Sequence, residues 1–307
     1  MNSGLASFDM IKVSRAAMMI AALVFLFVLF LSSVLETTDS FLVILLTGVV
    51  FLGIPHGALD IFLIYKMFAS AKSRFKFLGL YVLAVLPMVA AWMIAPEMAF
   101  IFFVVYSCFH FAQSDMSKRF DGTLKTSVEF GARLLIPFCI PFGIQPDTSI
   151  ELAKVIYDVQ LLEQFTFVLW YLGHFAIILS VVYAVIGIGE WVFQKKEWQI
   201  LSLEPLVLSI LFYYLHPLYA LGIYFCFVHS VKHMMNFFIA GIDVDLKSML
   251  PYWLIPILSV PVLLVIFPSL TNALDESLLK WTIVVISAIA LPHTLLIYAA
   301  KNLKLLP

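Results

Sequence analysis

The chain has 307 residues, 63% hydrophobic and only 12% charged, and a mean hydropathy of +1.06, which excludes an ordinary water-soluble globular domain. Its 18 Lys and Arg stand against 19 Asp and Glu, a formal net charge of -1, so no basic excess exists to hold nucleic acid. Cys108, Cys139 and Cys226 lie inside apolar runs, where a thiol acts as a small hydrophobe, and imply no disulfide framework.

Segments long enough to cross a bilayer recur along the chain, each needing roughly 20 apolar residues for a ~30 Å hydrocarbon core. The pattern reads as an all-α, polytopic transmembrane helix bundle of about ten spans, a single integral-membrane domain over residues 1–307. The first span, 16–35, follows a basic flank at Lys12 and Arg15; it is too long for a signal-peptide core and carries no small-residue cleavage pattern. Spans two to four are expected at 41–65, 77–95 and 97–113. The fifth, 128–143, holds Glu129 and Arg133 one turn apart with Pro137 and Pro141, a pattern that fits a short, kinked or re-entrant piece. After it, SIELAKVIYDVQLLEQF puts Leu152, Val155, Ile156 and Val159 on one helical face, as a segment lying along the outer interface would. Spans six to ten are expected at 165–189, 200–215, 217–240, 250–268 and 281–300.

Positive charges orient the bundle. With ten spans and both termini cytoplasmic, only Lys154 and Lys280 fall outside, Arg133 and Lys232 fall within spans, and every other Lys and Arg lies in an inner segment. Dropping the fifth span would move Lys195 and Lys196 outside and the acidic stretch from Asp147 to Glu163 inside. Lys232 invites a Schiff-base role, but its long stem is expected to snorkel toward the cytoplasmic face.

The chain has seven histidines, and ionisable side chains in hydrocarbon usually face a bundle interior. Counted down their spans at ~1.5 Å per residue, His56, His110, His229, His233 and His293 fall at roughly 18 to 24 Å from the outer surface, in one layer. Five imidazoles at one level can converge on one ion, although any one alone reads equally well as an interhelical hydrogen-bond donor. His229 and His233 in VHSVKH leave one helical face at i, i+4 and can chelate a single metal. His56 sits in GIPHGALD, where Pro55 forfeits a backbone hydrogen bond and Gly53 and Gly57 allow a neighbouring helix to approach. Asp60, one turn on, is placed to accept an imidazole N–H and fix its tautomer; the alternative is a helix-end carboxylate near the surface. His110 in CFHFAQSD has Gln113 and Ser114 on its face and Asp115 near the boundary, and His293 in ALPHTLL repeats the Pro-His order, as a ligand or as a ligand's neighbour. His174 is shallower and expected to make an interhelical bond; His216 is expected at the interface. With no thiolate pair or intramembrane carboxylate cluster expected beside the histidines, imidazole-rich ligation suits Fe, Cu, Zn or Ni.

Together, GIPHGALD, FHFAQSD, HSVKH and LPHT resemble the Brp/Blh family of integral-membrane β-carotene 15,15'-dioxygenases, over nearly the whole chain. The resemblance implies an oxidoreductase that cleaves the central double bond of all-trans-β-carotene with O2 to two molecules of retinal, at a non-haem Fe(2+). Carried over by motif, the iron ligands are His56, His110, His229 and His233, with Asp60 and His293 around them and the role of His293 open. Ala112 stands where the family commonly has glycine. A multi-pass protein of a prokaryotic plasma membrane is implied, with bilayer-dissolved β-carotene and O2 as substrates and a retinal-binding rhodopsin as consumer of the product. Of the 29 Phe, 12 Tyr and 6 Trp, some are expected to wall an apolar tunnel that sets the cleavage position, and most to face lipid.

Other readings stay open on the residues alone. A membrane desaturase or hydroxylase would need adjacent His pairs, which do not occur. A bis-His haem carrier would place its rings at two levels rather than one. A non-enzymatic transporter or retinal-handling protein would use the histidines to relay protons.

Overall fold

Backbone groups in hydrocarbon must be satisfied within the chain, and a helix does so locally. The computed structural model describes residues 52–117, 121–157, 159–194, 200–240 and 276–306, and these are helical with no strand among them. The expected first and ninth spans, 16–35 and 250–268, and the start of the second lie outside the described residues.

In chain order the helices are α1 (Ile54–Ala58), α2 (Asp60–Met67), α3 (Ala71–Leu83), α4 (Val85–Ile94), α5 (Pro96–Asp115), α6 (Leu124–Ile144), α7 (Pro146–Lys154), α8 (Gln160–Gln164) and α9 (Thr166–Gln194). A 3-10 turn at Ile200–Leu203 leads into α10 (Glu204–Tyr214), then α11 (Pro217–Ile223), a π-helical turn Tyr224–His229, α12 (Ser230–Ile239) and α13 (Glu276–Asn302). Among the described residues, five helices are long and apolar enough to cross a membrane: Ala71–Ile94, Pro96–Asp115, Leu124–Ile144, Thr166–Phe193 and Ile283–Asn302. They coincide with the third, fourth, fifth, sixth and tenth expected spans.

The fifth expected span is therefore no short or re-entrant piece. It is a 21-residue helix that accommodates Pro137 and Pro141 in its interior and is the most buried of the five. Thr123 caps its first turn, accepting from the Thr126 N–H. Ahead of it, Asp121 accepts hydrogen bonds from Thr123 and Thr126, which hold its exposed carboxyl down at about 2. α6 packs most closely on α9. A Cβ on Gly143 would collide with the Leu169 carbonyl, and one on Gly173 with the Cys139 carbonyl, so both glycines are needed for the two backbones to meet.

The outer stretch differs from the single amphipathic helix expected. It breaks at Val155–Tyr157 into α7 and α8. Its apolar residues, Ala153, Ile156, Val159 and Leu162, are buried with Trp92, Phe100 and Phe142, and the Glu97 carboxylate fixes the break by accepting the Leu161 N–H at 2.8 Å. A second cluster joins Ile136, Ile140, Phe212, Ile223 and Val228, and a third joins Leu59, Leu63, Phe237, Leu296 and Ala300. Trp92 Nε1 donates to Ser287 Oγ at 2.7 Å and the Tyr106 hydroxyl to the Ser287 carbonyl at 2.5 Å, tying α4 and α5 to α13. These ties hold α13 where it delivers His293.

Candidate metal centre

His56 comes from α1, His110 from the last turns of α5, His229 from the end of the π turn, His233 from α12 and His293 from α13 behind Pro292. All five are buried. Widening the helix to π geometry just before His229 is the kind of local departure that re-aims side chains at functional sites. It sets Phe225, His229 and His233 in a ladder, with ring centroids 6.2 Å and 6.0 Å apart and planes within 17° and 24° of parallel.

The rings form one cluster. In the order His56, His229, His110, His293 and back to His56, neighbouring centroids are 5.5, 5.2, 5.1 and 5.2 Å apart. Among the described residues, no ring contact joins His56 to His110 or His229 to His293, so these pairs stand across a four-membered ring. His233 lies 5.4, 6.0, 6.4 and 5.1 Å from the same four. A point that far from every corner cannot sit inside such a ring, so His233 stands to one side of it.

Hydrogen bonds to Nδ1 decide which nitrogen faces inward. His229 Nδ1 donates to Asp115 Oδ1 at 3.0 Å, and His293 Nδ1 donates to Asp60, 2.9 Å from Oδ2. His56 Nδ1 donates to the Gly53 carbonyl and lies 3.2 Å from Ser230 Oγ. A neutral imidazole holding its proton on Nδ1 carries its lone pair on Nε2. Among the described residues, the Nε2 atoms of His110, His229, His233 and His293 are buried without a hydrogen-bond partner. Four orphaned ring nitrogens in one buried pocket are costly by themselves, and at His229 and His293, whose Nδ1–H leaves the lone pair on Nε2, a bound cation removes that cost. Asp60, His233 and His293 also offer ligand atoms within 4.8 Å of one another. Asp60, however, is committed to His293 and to the Tyr81 hydroxyl, which donates to its Oδ2 at 2.6 Å. It serves the centre through His293.

Charge fits the same picture. Asp60 and Asp115 bring two negative charges into a buried site, which one divalent cation among neutral imidazoles cancels. Behind Asp115 lies a second set that balances itself. Lys232 Nζ donates to Glu204 Oε1 at 2.5 Å and to the Asp115 carbonyl at 3.2 Å. Arg133 pairs with Glu204 at 3.1 Å and with Glu129 at 3.0 Å. The donor set therefore suits a divalent, imidazole-binding metal.

Several expectations need correction. Lys232 does not snorkel: it is 2% exposed and ion-paired inside the bundle. Carboxylates do accompany the histidines, bonded to Nδ1 rather than placed as a di-metal cluster. Asp115, the last residue of α5, is buried and also accepts from the Tyr224 hydroxyl at 2.7 Å. Asp60 does accept an imidazole N–H, as expected, and the donor is His293 on α13. A Cβ on Gly57 would meet nothing within 4 Å, whereas one on Gly53 would press on Phe225. His174 bonds the Trp170 carbonyl of its own helix at 2.8 Å instead of a neighbouring one. His216 is part-exposed at the N-terminal cap of α11. Asp115, Glu129, Arg133 and Glu204 went unassigned in the sequence, although ionisable groups within or bordering apolar spans are themselves the signal.

Comparison with known proteins follows the same line. A family model described as "BCD: Beta-carotene 15,15'-dioxygenase" matches residues 47–300. A beta-carotene 15,15'-dioxygenase from an uncultured marine bacterium is 27% identical over 193 residues, 60% of this chain and 65% of that protein. A probable beta-carotene 15,15'-dioxygenase Blh of Halobacterium salinarum is 27% identical over 223 residues, 65% of this chain and 62% of the relative. The chain thus spans less than two thirds of the length of either relative. No solved structure matches.

Proposed function

The chain belongs to the beta-carotene 15,15'-dioxygenase family, and from that premise we propose that it cleaves the central double bond of β-carotene with O2 to give two molecules of retinal. The observation that carries this reading is the set of four partnerless Nε2 atoms, with two of the rings braced by carboxylates. Ferrous iron is the metal proposed, held by His56, His110, His229 and His233, with His293 as a fifth imidazole. When bound, it supplies dioxygen binding and activation beside an alkene. The protein does the rest. Asp115 and Asp60 accept the Nδ1–H of His229 and His293, which fixes both rings and leaves Nε2 pointing inward. The Lys232–Glu204–Arg133–Glu129 ion pairs hold the Asp115 end of α5 against the π turn and α12, fixing where His229 stands. Buried apolar walls exclude water, and a hydrocarbon substrate can arrive from the bilayer without passing through it.

The full arrangement proposed is a single membrane domain over residues 1–307, ten spans with both termini cytoplasmic, in a prokaryotic plasma membrane. A retinal-binding rhodopsin is the proposed consumer of the product. The test is expression in cells that accumulate β-carotene: loss of pigment with matching appearance of retinal supports the activity, and unchanged carotene around well-expressed, iron-loaded protein refutes it.

A further inference from the structure

The five rings do not enclose their centre evenly, and the two sides of the four-membered ring differ in what covers them. His233 occupies one side. Beyond it lies Phe237, with ring centroids 5.1 Å apart, and Phe237 is fully buried among Leu59, Leu63, Leu296 and Ala300. That side is closed by core packing. On the ladder of helical turns, Phe225 lies one turn from His229 in the direction opposite to His233, so it stands over the other side. Its ring is 5.3 Å from His56 and 6.2 Å from His229. Phe111, next to His110 on α5, reaches the same side, 4.6 Å from His229 and 6.0 Å from His110. The two phenyl rings are 6.3 Å apart. Between them they touch His56, His229 and His110, three of the four members. Both phenyl side chains are only partly buried, although the histidines they cover are buried.

We propose that Phe111 and Phe225 are specificity-determining residues that wall the face opposite His233, where the polyene segment to be cleaved is held. This rests on the carotenoid-cleavage reading above. The chemistry suits the ligand: a conjugated hydrocarbon gains dispersion and offset stacking against phenyl faces and asks for no hydrogen bond. Position suits it as well. A rigid polyene gripped by two aromatic rings beside the imidazoles is held against sliding, and sliding is what would exchange the central bond for its neighbours. Gly53 supports the assignment, since a Cβ there would lie 2.8 Å from Phe225 Cε1 and push the ring away from α1.

The experiment compares wild type with Phe111→Ala, Phe225→Ala and, on the closed side, Phe237→Leu. Readouts are iron content, the retinal to apocarotenal ratio from β-carotene, and β-carotene affinity of the metal-free protein from its absorption shift. The two alanine variants should retain iron, bind β-carotene on the order of 10-fold more weakly and release longer apocarotenals beside retinal. Phe237→Leu should give retinal alone. Where an alanine variant does not accumulate, Phe→Leu at the same position keeps apolar volume while removing the aromatic face, and should shift products in the same direction. Wild-type affinity and exclusive retinal from iron-loaded Phe111 and Phe225 variants would overturn the assignment, as would apocarotenals arising only from Phe237→Leu. Iron-loaded wild type that neither binds nor cleaves β-carotene would instead overturn the carotenoid reading, and this assignment with it.

Discussion

Asp115 is the residue whose removal tests the imidazole arrangement most sharply, because it accepts from two buried donors at once, His229 Nδ1 at 3.0 Å and the Tyr224 hydroxyl at 2.7 Å. Asp115→Ala leaves both unpaired. At about 1–3 kcal/mol for each buried donor, the cost to stability is about 2–6 kcal/mol, a large part of the about 5–15 kcal/mol that a folded domain possesses. Asp115→Asn is gentler. Its amide oxygen still accepts one N–H or O–H, while its NH2 meets the other donor and the negative charge is gone. Loss of a carboxylate behind a ligating histidine lowers metal affinity by about 10–100-fold, or ~1.4–2.7 kcal/mol. Titration of the metal-free protein with Fe(II) in a metal-buffered solution reads that loss, and thermal unfolding of the same samples without metal reads the stability. Asn should weaken binding by the stated factor with a small drop in unfolding temperature; Ala should do both more severely. Wild-type affinity in Asp115→Asn would show that the His229 ring needs no charged partner, and the electrostatic account of the centre would be wrong.

Four further outcomes follow from the geometry. Alanine at His56, His110, His229, His233 or His293 should each lower bound iron and retinal formation, whereas His174→Ala, whose ring bonds its own helix, should retain both; full iron in any of the first five removes that residue from the ligand set. Lys232→Met strips a cation from buried Glu204 and should destabilise the protein by about 3–5 kcal/mol, with Lys232→Met/Glu204→Gln recovering part of the loss; independent, additive effects in denaturant unfolding would contradict the pairing. Gly173→Leu forces a side chain against the Cys139 carbonyl, so the yield of folded protein should fall, by overpacking of about 1–3 kcal/mol or more; wild-type unfolding behaviour would mean that α6 and α9 are not so close. Removing the metal with a chelator should lower the unfolding temperature, since a ligand bound only to the folded state stabilises it, and re-addition of a divalent ion should restore it.

How much of this was legible from the amino-acid order depends on which physical signal each feature left. Apolar length marks a crossing helix directly, and so the five long helices coincide with expected spans. Depth counted along the expected spans put five histidines at one level, and residues at one level on neighbouring helices have few places to go but toward each other. Lateral pairing leaves no such trace. Nothing local to Asp60 indicates that its partner is His293, 233 positions away, and nothing local to Lys232 indicates that it meets Glu204 at the start of α10. Lys232 was misread because snorkelling is the cheaper fate of a lone lysine, and the buried glutamate that makes burial tolerable sits on a different helix. The π turn at Tyr224–His229 was illegible for a different reason: the i, i+4 pair His229 and His233 fits ordinary α-helix spacing, and the extra residue per turn lies just ahead of it.

The most direct test of the central claim is a stoichiometric turnover of purified, iron-loaded protein with β-carotene under 18O2, following both carbon products and label. The account predicts two equivalents of retinal per carotene consumed, each aldehyde carrying one labelled oxygen when exchange with water is suppressed, and no turnover after His229→Ala. Oxygen drawn only from water, or carotene left intact by protein that holds its iron, would contradict it.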